Sequence, residues 1–340
     1  MGSSVSGRPF HKAPGGKTRL LPELLSRLPA GWTGSYFEPF LGGGALFFAL
    51  REAGHLGDVS RGITLNDANA ALVCAWASVR DHVEELIAEL EEIQRWHHKD
   101  PEHVYYELRD EANAQMTTPG TEGRMLRLGA LFLYLTRAGF NGLWRVNKAG
   151  KHNVPIGKYD HATLDLVRAD HLRVAHDWLD ETEIRHGDFE VAVQHAKAGD
   201  LVYADPPYAP VSATADFTAY TAGGFGWADQ ERLERVAREL AERGVYVMLS
   251  NADTPSVRFL YNRRPWRGHT IEAARAINSK GDRRGKVGEV VITSYEVIPR
   301  EDDLANPSGT SQRRRHGIIS AEDGAAPRAG RGAQKERSQP

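Results

Sequence analysis

The sequence predicts an α/β fold: a doubly wound, Rossmann-like sheet of parallel strands with an inserted region of helices and a β-hairpin. Short apolar runs at 36–37 and 63–65 flank a helical pattern at 45–51, which is the rhythm of a βαβ unit. A second set of short apolar runs follows at 201–204 and 245–249. Hydrophobic residues make up 41% and charged residues 26%, as in an ordinary globular protein.

The charge balance and the cysteine content limit the function classes. There are 43 Lys and Arg against 45 Asp and Glu, a net charge of −2 that neither favours nor excludes a polyanionic partner. The single cysteine, Cys74, has no partner for an internal disulfide, and we find no signal peptide, so a cytoplasmic protein is expected. No apolar run approaches the roughly 18 residues of a membrane span, so no membrane is expected as a partner.

The N-terminal elements are predicted from hydrophobic periodicity. Leucines three and four residues apart indicate a helix over 17–28, after a flexible leader at 1–8. Residues 81–92 hold six acidic and no basic residues, with apolar residues at helical spacing. They predict a helix with a solvated acidic face. Helices continue over 101–136.

The helical period stops at 137–159, where glycine, asparagine and basic residues appear. Further along, the pattern predicts a helix at 191–198, an amphipathic helix at 228–243 and a late strand at 290–297. Residues 301–340 contain almost no large apolar side chains and are predicted to form a disordered tail.

A Gly-rich turn at 38–44 joins a strand to a helix, and Asp67 stands 25 residues after Gly42. Glycine lets the backbone approach a ligand, and an acid at about this distance typically binds ribose hydroxyls. Phe47 replaces the third glycine of a dinucleotide site, and residues 12–18 lack the first glycine of a P-loop. A nucleoside ligand without a pyrophosphate remains, of which S-adenosylmethionine is the common example. A purely structural loop is equally compatible.

The tetrapeptide Asp205-Pro206-Pro207-Tyr208 follows the apolar strand at 201–204, at the edge where open α/β sheets bind ligands. The prolines fix the turn and remove two backbone donors. The Asp205 carboxylate and the turn carbonyls therefore form a cluster of acceptors suited to an amino group, and Tyr208 offers a face for a stacked base. Taken singly, Asp205 is equally typical of a helix cap or a turn.

Such a cluster suits direct methyl transfer to the exocyclic amine of a nucleobase. Accepting hydrogen bonds from both N–H groups frees the nitrogen lone pair, which then attacks the methyl of a sulfonium donor held in line. Methylation at cytosine C5 needs a nucleophilic cysteine, whereas Cys74 lies in an apolar helix and is expected to be an inert core residue. The group His97, His98 and His103 is expected to be a solvated helix end, and no metal site is expected.

These motifs resemble those of the DNA adenine-N6 methyltransferases of the Dam type (D12 class, α group), over about residues 9–299. Residues 13–17 are similar to the family segment W-A-G-G-K, with Ala13 at the Trp position, and 38–44 are similar to its E-P-F-x-G-x-G loop. Residues 137–145 and 153–159 resemble its recognition hairpin, R-x-G-[YF]-N-G-L-x-R…N-V-P-x-G-x-Y.

The resemblance implies roles for individual residues. Those implied in catalysis are Asp205, Pro206, Pro207 and Tyr208. Those implied in binding S-adenosyl-L-methionine are Lys17, Glu38, Pro39, Gly42, Gly44, Asp67, Asp188, Phe189 and Asp205. Those implied in DNA binding are Lys12, Arg137, Phe140, Asn141, Leu143, Arg145, Pro155, Lys158 and Tyr159. In that family the hairpin reads GATC. Because Lys158 and Phe140 stand where the family often has Arg and Tyr, the resemblance implies GATC or a related short site as the target.

The resemblance also implies an organisation. Residues 9–80 and 181–300 would form the S-adenosylmethionine methyltransferase domain, and 81–180 the DNA target-recognition region. The enzyme would methylate N6 of a flipped adenine in double-stranded DNA, as a monomer in a bacterial or phage-infected cell. A cognate restriction nuclease is an open second partner.

Three alternatives accompany this hypothesis. The acceptor is instead N4 of cytosine or an amine in RNA, which Asp205 and the 137–159 segment argue against. The chain is instead an inactive DNA-binding protein, for which Ala13 is the single supporting feature. NAD-dependent oxidoreduction fails at Phe47.

Overall fold

The computed structural model describes most of the chain. The predicted leader, the predicted tail and Lys12 lie outside the described residues, which are 9–11, 17–57, 62–116, 122–208, 224–271 and 288–298.

Within these residues, seven strands form one sheet, in the order β3-β2-β1-β4-β5-β7-β6. The strands are β1 (Tyr36–Glu38), β2 (Ile63–Asp67), β3 (Thr182–His186), β4 (Leu201–Ala204), β5 (Tyr246–Ala252), β6 (Arg267–Ile271) and β7 (Glu289–Thr293). β1 to β5 are parallel, while β7 runs antiparallel to both β5 and β6.

The strand order reverses between β1 and β4, which are neighbours although β2 and β3 separate them in sequence. In doubly wound sheets, ligands bind outside the carboxyl ends of the strands at this switch point. The predicted doubly wound fold is confirmed, and both predicted site motifs follow the strands that flank the switch point.

Ten α-helices complete the described part. They are α1 (Leu21–Leu25), α2 (Ala45–Glu52), α3 (Ala70–Asp81), α4 (Val83–His97), α5 (Pro101–Gln115), α6 (Glu122–Ala138), α7 (Ala169–Leu179), α8 (Phe189–Ala192), α9 (Trp227–Glu242) and α10 (Pro255–Leu260). None of these helices is long and apolar enough to span a membrane.

Three sequence-based elements differ from the structure. The helix expected at 191–198 is α8, which begins earlier because the Asp188 side chain caps it by accepting from the Glu190 N–H, and which ends at Ala192. The helix expected at 17–28 is shortened to α1 after one 3-10 turn. The strand expected at 290–297 ends at Thr293.

Two apolar clusters pack against the sheet. One contains α9 with parts of β4 and β5. The other joins α2 and α3 beside the sheet to α4, α5 and α6 of the predicted recognition region, so the two predicted regions share a core. Cys74 lies on α3 in this core, where burial raises the pKa of its thiol to about 11, as expected for an inert cysteine.

The segment between α6 and α7 forms an irregular hairpin, which we call the recognition loop (residues 139–168). Two isolated antiparallel bridges hold it, Gly139 to Ile156 and Val146 to His152. Asn141 adopts a left-handed backbone (φ 55°) inside a single 3-10 turn, which breaks the ladder. The loop therefore relies on side chains from neighbouring helices for its shape.

Candidate active site

The turn after β1 is shaped by two glycines in the left-handed region. Gly42 has φ 48° and Gly44 has φ 61°. A Cβ on Gly44 would collide with the Trp76 ring, whereas a Cβ on Gly42 would meet nothing within 4 Å. Gly44 is thus required by packing, while Gly42 faces open space beside the sheet edge.

Polar side chains at the end of β2 bond the segments that follow β1 and β3. Asp67 accepts the Gly42 N–H through Oδ2 (2.9 Å) and the Asn69 N–H through Oδ1 (2.9 Å). The Asn66 amide donates to the carbonyls of Pro39 (3.0 Å) and Gly187 (3.1 Å). Burial raises the pKa of Asp67, against the lowering effect of its backbone donors. These bonds position the Gly-rich turn against Asp67, as the spacing predicted.

Glu38 ends β1 and is only 2% exposed. Its Oε2 accepts a hydrogen bond from the Tyr36 hydroxyl (2.8 Å). Burial raises the pKa of Glu38 to about 8, and the nearby Asp205 carboxylate adds to this effect. The edge of the sheet therefore concentrates acidic groups that a cation would stabilise.

Asp188 and Phe189 follow β3 at the same edge. Burial raises the pKa of Asp188, but its hydrogen bonds from Arg232 (2.7 Å) and the Glu190 N–H outweigh burial and lower it overall. Arg232 lies 4.3 Å over the Phe189 ring, and Phe40 stacks on that ring at 5.2 Å. The Phe189 ring thus contacts both a guanidinium and a second aromatic ring.

Asp205 follows β4 and lies next to Lys17, which comes from the segment before α1. The Lys17 ammonium is 2.9 Å from Asp205 Oδ1, and the Ser250 hydroxyl donates to the same oxygen (2.9 Å). Ser250 in turn contacts the Tyr203 hydroxyl (2.9 Å). Burial raises the pKa of Asp205, while Lys17 and Ser250 lower it. Within the described residues, no donor contacts the second carboxylate oxygen, Oδ2.

Tyr208 is held at the same point. Its hydroxyl donates to Glu289 Oε2 (3.0 Å) and accepts a short hydrogen bond from Lys17. The Lys17 nitrogen also lies 4.2 Å from the centre of the Tyr208 ring. Lys17 is therefore placed at the Asp-Pro-Pro-Tyr turn, where it bridges Asp205 and Tyr208.

A polar chain from β5 supports the turn. The Asn251 amide donates to Gln230 (3.0 Å), and Gln230, 1% exposed on α9, donates to the Pro207 carbonyl (2.9 Å). Within the described residues, the Pro206 carbonyl accepts no hydrogen bond. The turn thus presents the Pro206 carbonyl and Asp205 as acceptors.

Sequence reasoning missed Ser250, Asn251, Gln230 and Glu289. The first two carry a usable signal, because polar residues that directly follow the apolar run at 245–249 stand at the carboxyl edge, like Asp205. Gln230 and Glu289 reach the site only through the packing of α9 and the antiparallel direction of β7.

The expected DNA contacts that the structure describes lie in and beside the recognition loop. Phe140 is 43% and Tyr159 39% exposed, and Asn141, Pro155 and Lys158 are also exposed. Leu143 is half-buried. Arg145 is exposed, and its Nε donates to Asn153 Oδ1 (2.9 Å), which orients the guanidinium. Arg137 differs: it is largely buried, and burial with the nearby Arg168 lowers its pKa to about 10.

Two surface features differ from what the sequence suggests. Residues 263–286 hold eight basic and two acidic residues, a charge that suggests phosphate contacts. However, Arg263, Arg264 and Arg267 precede or begin β6, whose first residue pairs with Thr293 at the far end of β7 from Glu289. They therefore lie at the opposite edge from the site, and residues 272–286 of that stretch are outside the described part. His97, expected in a solvated helix end, is fully buried on α4.

Comparison with known proteins gives a family match. Residues 14–277 match the family model of the D12 class N6 adenine-specific DNA methyltransferases. The chain is 37% identical over 300 residues to the Type II methyltransferase M1.LlaDCHI of Lactococcus lactis subsp. cremoris (86% of this chain, 97% of that protein). It is 34% identical over 284 residues to the DNA adenine methylase of Escherichia coli K12 (84% and 94%).

Two further similarities were found. The Type II methyltransferase M.MjaIII of Methanocaldococcus jannaschii is 33% identical over 300 residues (85% of this chain, 99% of that protein). Among solved structures, the rRNA methyltransferase aviRa of Streptomyces viridochromogenes aligns over 85% of this chain and 91% of its own, with a TM-score of 0.30 and 14% identity.

Proposed function

The chain belongs to the D12 class of N6 adenine-specific DNA methyltransferases, and we propose that it transfers a methyl group from S-adenosylmethionine to a flipped adenine in double-stranded DNA. The observation that carries this proposal is the Asp205-Pro206 acceptor pair at the switch point of the sheet, one strand away from the Gly-rich turn. The expected target is GATC or a related short site.

The residues at the sheet edge fit S-adenosylmethionine. Gly42 leaves open space where a ligand would approach the backbone of the turn. Asp67 retains lone pairs for ribose hydroxyls. Glu38 is a buried acid that a cationic ligand would stabilise in its charged form. Gly44, Pro39, Asp188 and Phe189 would complete the binding site. When bound, S-adenosylmethionine supplies a methyl group activated by a positively charged sulfur.

The Asp-Pro-Pro-Tyr turn would bind the adenine amine. Asp205 and the Pro206 carbonyl accept its two N–H groups, since Gln230 already occupies the Pro207 carbonyl. The nitrogen forms a bond to the methyl carbon as the carbon–sulfur bond breaks. Asp205, whose pKa burial raises, can then take the proton that the nitrogen loses. Tyr208 provides the stacking face, and Lys17 must move aside to admit the base.

The recognition loop would read the DNA. Arg145, whose Nε bonds Asn153, would offer its two terminal nitrogens to guanine O6 and N7. Lys158 offers a single ammonium, which cannot make a bidentate contact. Exposing the adenine by base flipping costs about a few kcal/mol, which contacts made by the loop would offset.

We also propose that the enzyme acts as a monomer in the bacterial cytoplasm. Residues 9–80 and 181–300 are proposed as the catalytic region, and 81–180 as the recognition region. A restriction nuclease is a proposed partner, because two of the similar proteins are named Type II methyltransferases.

The test uses unmethylated plasmid, purified protein and S-adenosylmethionine, followed by single-molecule sequencing that detects modified bases. Methyladenine confined to GATC supports both chemistry and readout. Methyladenine in another motif supports the chemistry but contradicts GATC as the target, and the changed target would be attributed to Lys158 and Phe140. N4-methylcytosine, or no modification with DNA binding retained, would overturn the proposed acceptor, and RNA would be assayed next.

A further inference from the structure

A chain of hydrogen bonds runs from the core to the recognition loop through two histidines. The Tyr134 hydroxyl on α6 is 2.9 Å from His97 Nδ1 on α4. His97 Nε2 is 3.1 Å from His161 Nδ1, and His161 Nε2 is 2.9 Å from the Gly157 carbonyl. We call these four residues the histidine relay.

The carbonyl at the end of the relay determines its polarity. A carbonyl only accepts, so His161 must carry a proton on Nε2. In the neutral relay, His161 Nδ1 then accepts from His97 Nε2–H, and His97 Nδ1 accepts from the Tyr134 hydroxyl. Every member is satisfied when both histidines are neutral Nε2–H tautomers.

A proton added to His161 does not break the relay. His161 then donates from both nitrogens, to Gly157 and to His97 Nε2, and His97 turns to its Nδ1–H form and donates to Tyr134. Adding a second proton, on His97, would place two N–H groups against each other. The side chains facing this pair are His98 on α4, Tyr134 on α6, and Tyr159 beside His161. Burial and these histidines lower the pKa of His97 to about 4.

The relay holds the arm of the loop that carries Lys158. Gly157 lies directly before Lys158, and its own N–H donates to the Ala138 carbonyl at the end of α6 (2.8 Å). The Tyr159 ring packs over Gly157, where a Cβ would collide with it, and the Tyr159 hydroxyl donates to the Gly139 carbonyl (3.3 Å). Both carbonyl and amide of Gly157 are therefore anchored, which restricts the path of Lys158.

We propose that His161 and His97 are positioning residues for DNA recognition. They fix the position of Lys158 relative to the DNA through Gly157, and they do not contact the DNA themselves. This inference rests on the proposed function, because it assumes that the recognition loop reads DNA. Because His161 donates to the Gly157 carbonyl in both the neutral and the singly protonated relay, one added proton does not release Gly157.

The variants to compare are His161→Gln, His161→Phe and, as a matched control, His98→Gln. Glutamine can accept from His97 and donate to Gly157, as His161 does, whereas phenylalanine can do neither. His98 lies beside the His97 ring, but its hydrogen bond within the described residues is to the Leu164 carbonyl, so it is not a member of the relay. Each variant is assayed for KM and kcat on a cognate duplex and on duplexes with one base pair changed, and for cofactor affinity by calorimetry.

We expect His161→Phe to raise KM for cognate DNA about tenfold and to narrow the ratio of cognate to altered-site activity, with kcat and cofactor affinity close to the parent. His161→Gln should restore most of both losses, and His98→Gln should match the parent. If His161→Phe leaves KM and discrimination unchanged, or if His161→Gln behaves like His161→Phe, the inference is wrong.

Histidine ring 15N NMR tests the relay without any activity. We expect both histidines to be Nε2–H tautomers when both are neutral. A neutral His97 found as the Nδ1–H tautomer would overturn the relay. If the unmodified enzyme methylates no DNA, the proposed function is wrong. The tautomers measured by NMR do not depend on activity, so they test the relay separately.

Discussion

The edge of the sheet and the recognition loop hold their functional groups by different means. At the edge, backbone and side-chain bonds among neighbouring parallel strands position Asp67 and the Gly-rich turn. In the loop, side chains from α5 bind the backbone: the Asn113 amide bonds both the N–H and the carbonyl of His152, and Tyr105 donates to the Val154 carbonyl. His161, within the loop, bonds the Gly157 carbonyl. The edge is built by sheet topology and the loop by helix packing.

The two regions also bury opposite kinds of titratable group. At the edge, Glu38 is buried and Asp67 and Asp205 are partly buried, each with a raised pKa. In and around the predicted recognition region, His97 and His152 are buried with their pKa lowered to about 4. The acidic groups at the end of the strands outnumber the single buried cation described there, Lys17, which suits a cationic ligand. The loop instead rests on neutral histidines, and its exposed cations are left for DNA.

The largest expected effect tests the edge. Asp205→Asn should lower kcat about 100- to 1,000-fold. The amide has one acceptor oxygen instead of two, carries no negative charge, and cannot take the proton that the adenine nitrogen loses. Methyl transfer from labelled S-adenosylmethionine measures the rate, and calorimetry should show the cofactor still binding. Asp177→Asn, on the exposed face of α7, is the matched control and should leave kcat unchanged. A variant with parental kcat would contradict the assignment of Asp205.

The second prediction concerns the buried histidines, His11, His97 and His152, whose pKa burial lowers to about 4. The unfolded chain binds protons near pH 6.5 and the folded one does not, so stability falls as pH drops from about 6.5 to 4. At pH 4, each buried histidine should lower the free energy of unfolding by about 3 kcal/mol.

Urea unfolding at several pH values checks this prediction. The free energy of unfolding should fall steeply below about pH 6, with a slope that exceeds one proton, because three histidines outnumber Glu38, whose raised pKa acts in the opposite direction. His152→Phe, which keeps a ring beside Trp144 (ring centres 4.3 Å apart), should reduce that slope. An unchanged slope would mean that His152 is not a source of the acid sensitivity.

A pair of glycine variants separates packing from ligand access at the edge. Gly44→Ala should destabilise by about 3 kcal/mol, since it combines a strained φ with a collision against Trp76. Gly42→Ala should destabilise by only about 1 kcal/mol, because its Cβ meets open space. The same Gly42→Ala protein should bind S-adenosylmethionine more weakly, as measured by calorimetry. Equal destabilisation with unchanged affinity would remove Gly42 from the proposed binding surface.

The smallest expected effect is a pH dependence of cofactor affinity. Glu38 has its pKa raised to about 8, so below that pH a cationic ligand must displace a proton from it. Affinity for S-adenosylmethionine should therefore rise by up to about tenfold per pH unit towards pH 8 and then level off. Calorimetry in buffers of different ionisation enthalpy should detect the released proton, and Glu38→Gln should abolish both signals. Parental pH dependence in that variant would exclude Glu38 as the linked group.

Much of the edge was predictable because its residues follow apolar strands directly. Glu38, Asp67 and Asp205 each stand at or just beyond the end of such a run, and the carboxyl ends of parallel strands meet at one edge. The recognition loop was located from its motif, but its anchors were not. The expectation that His97 is solvated was wrong, because α4 alone does not reveal that α6 and residue 161 cover its C-terminal turn.

The sequence by itself determined the α/β class, the switch-point motifs and the family, since these depend on local periodicity and on short contiguous segments. Only the tertiary structure decided that Lys17 meets Asp205, that Glu289 meets Tyr208 and that Gln230 supports Pro207. These contacts join residues far apart in the chain, and they depend on strand order, on the antiparallel direction of β7 and on how α9 packs. Such choices are made by the burial of whole surfaces, which no short segment encodes.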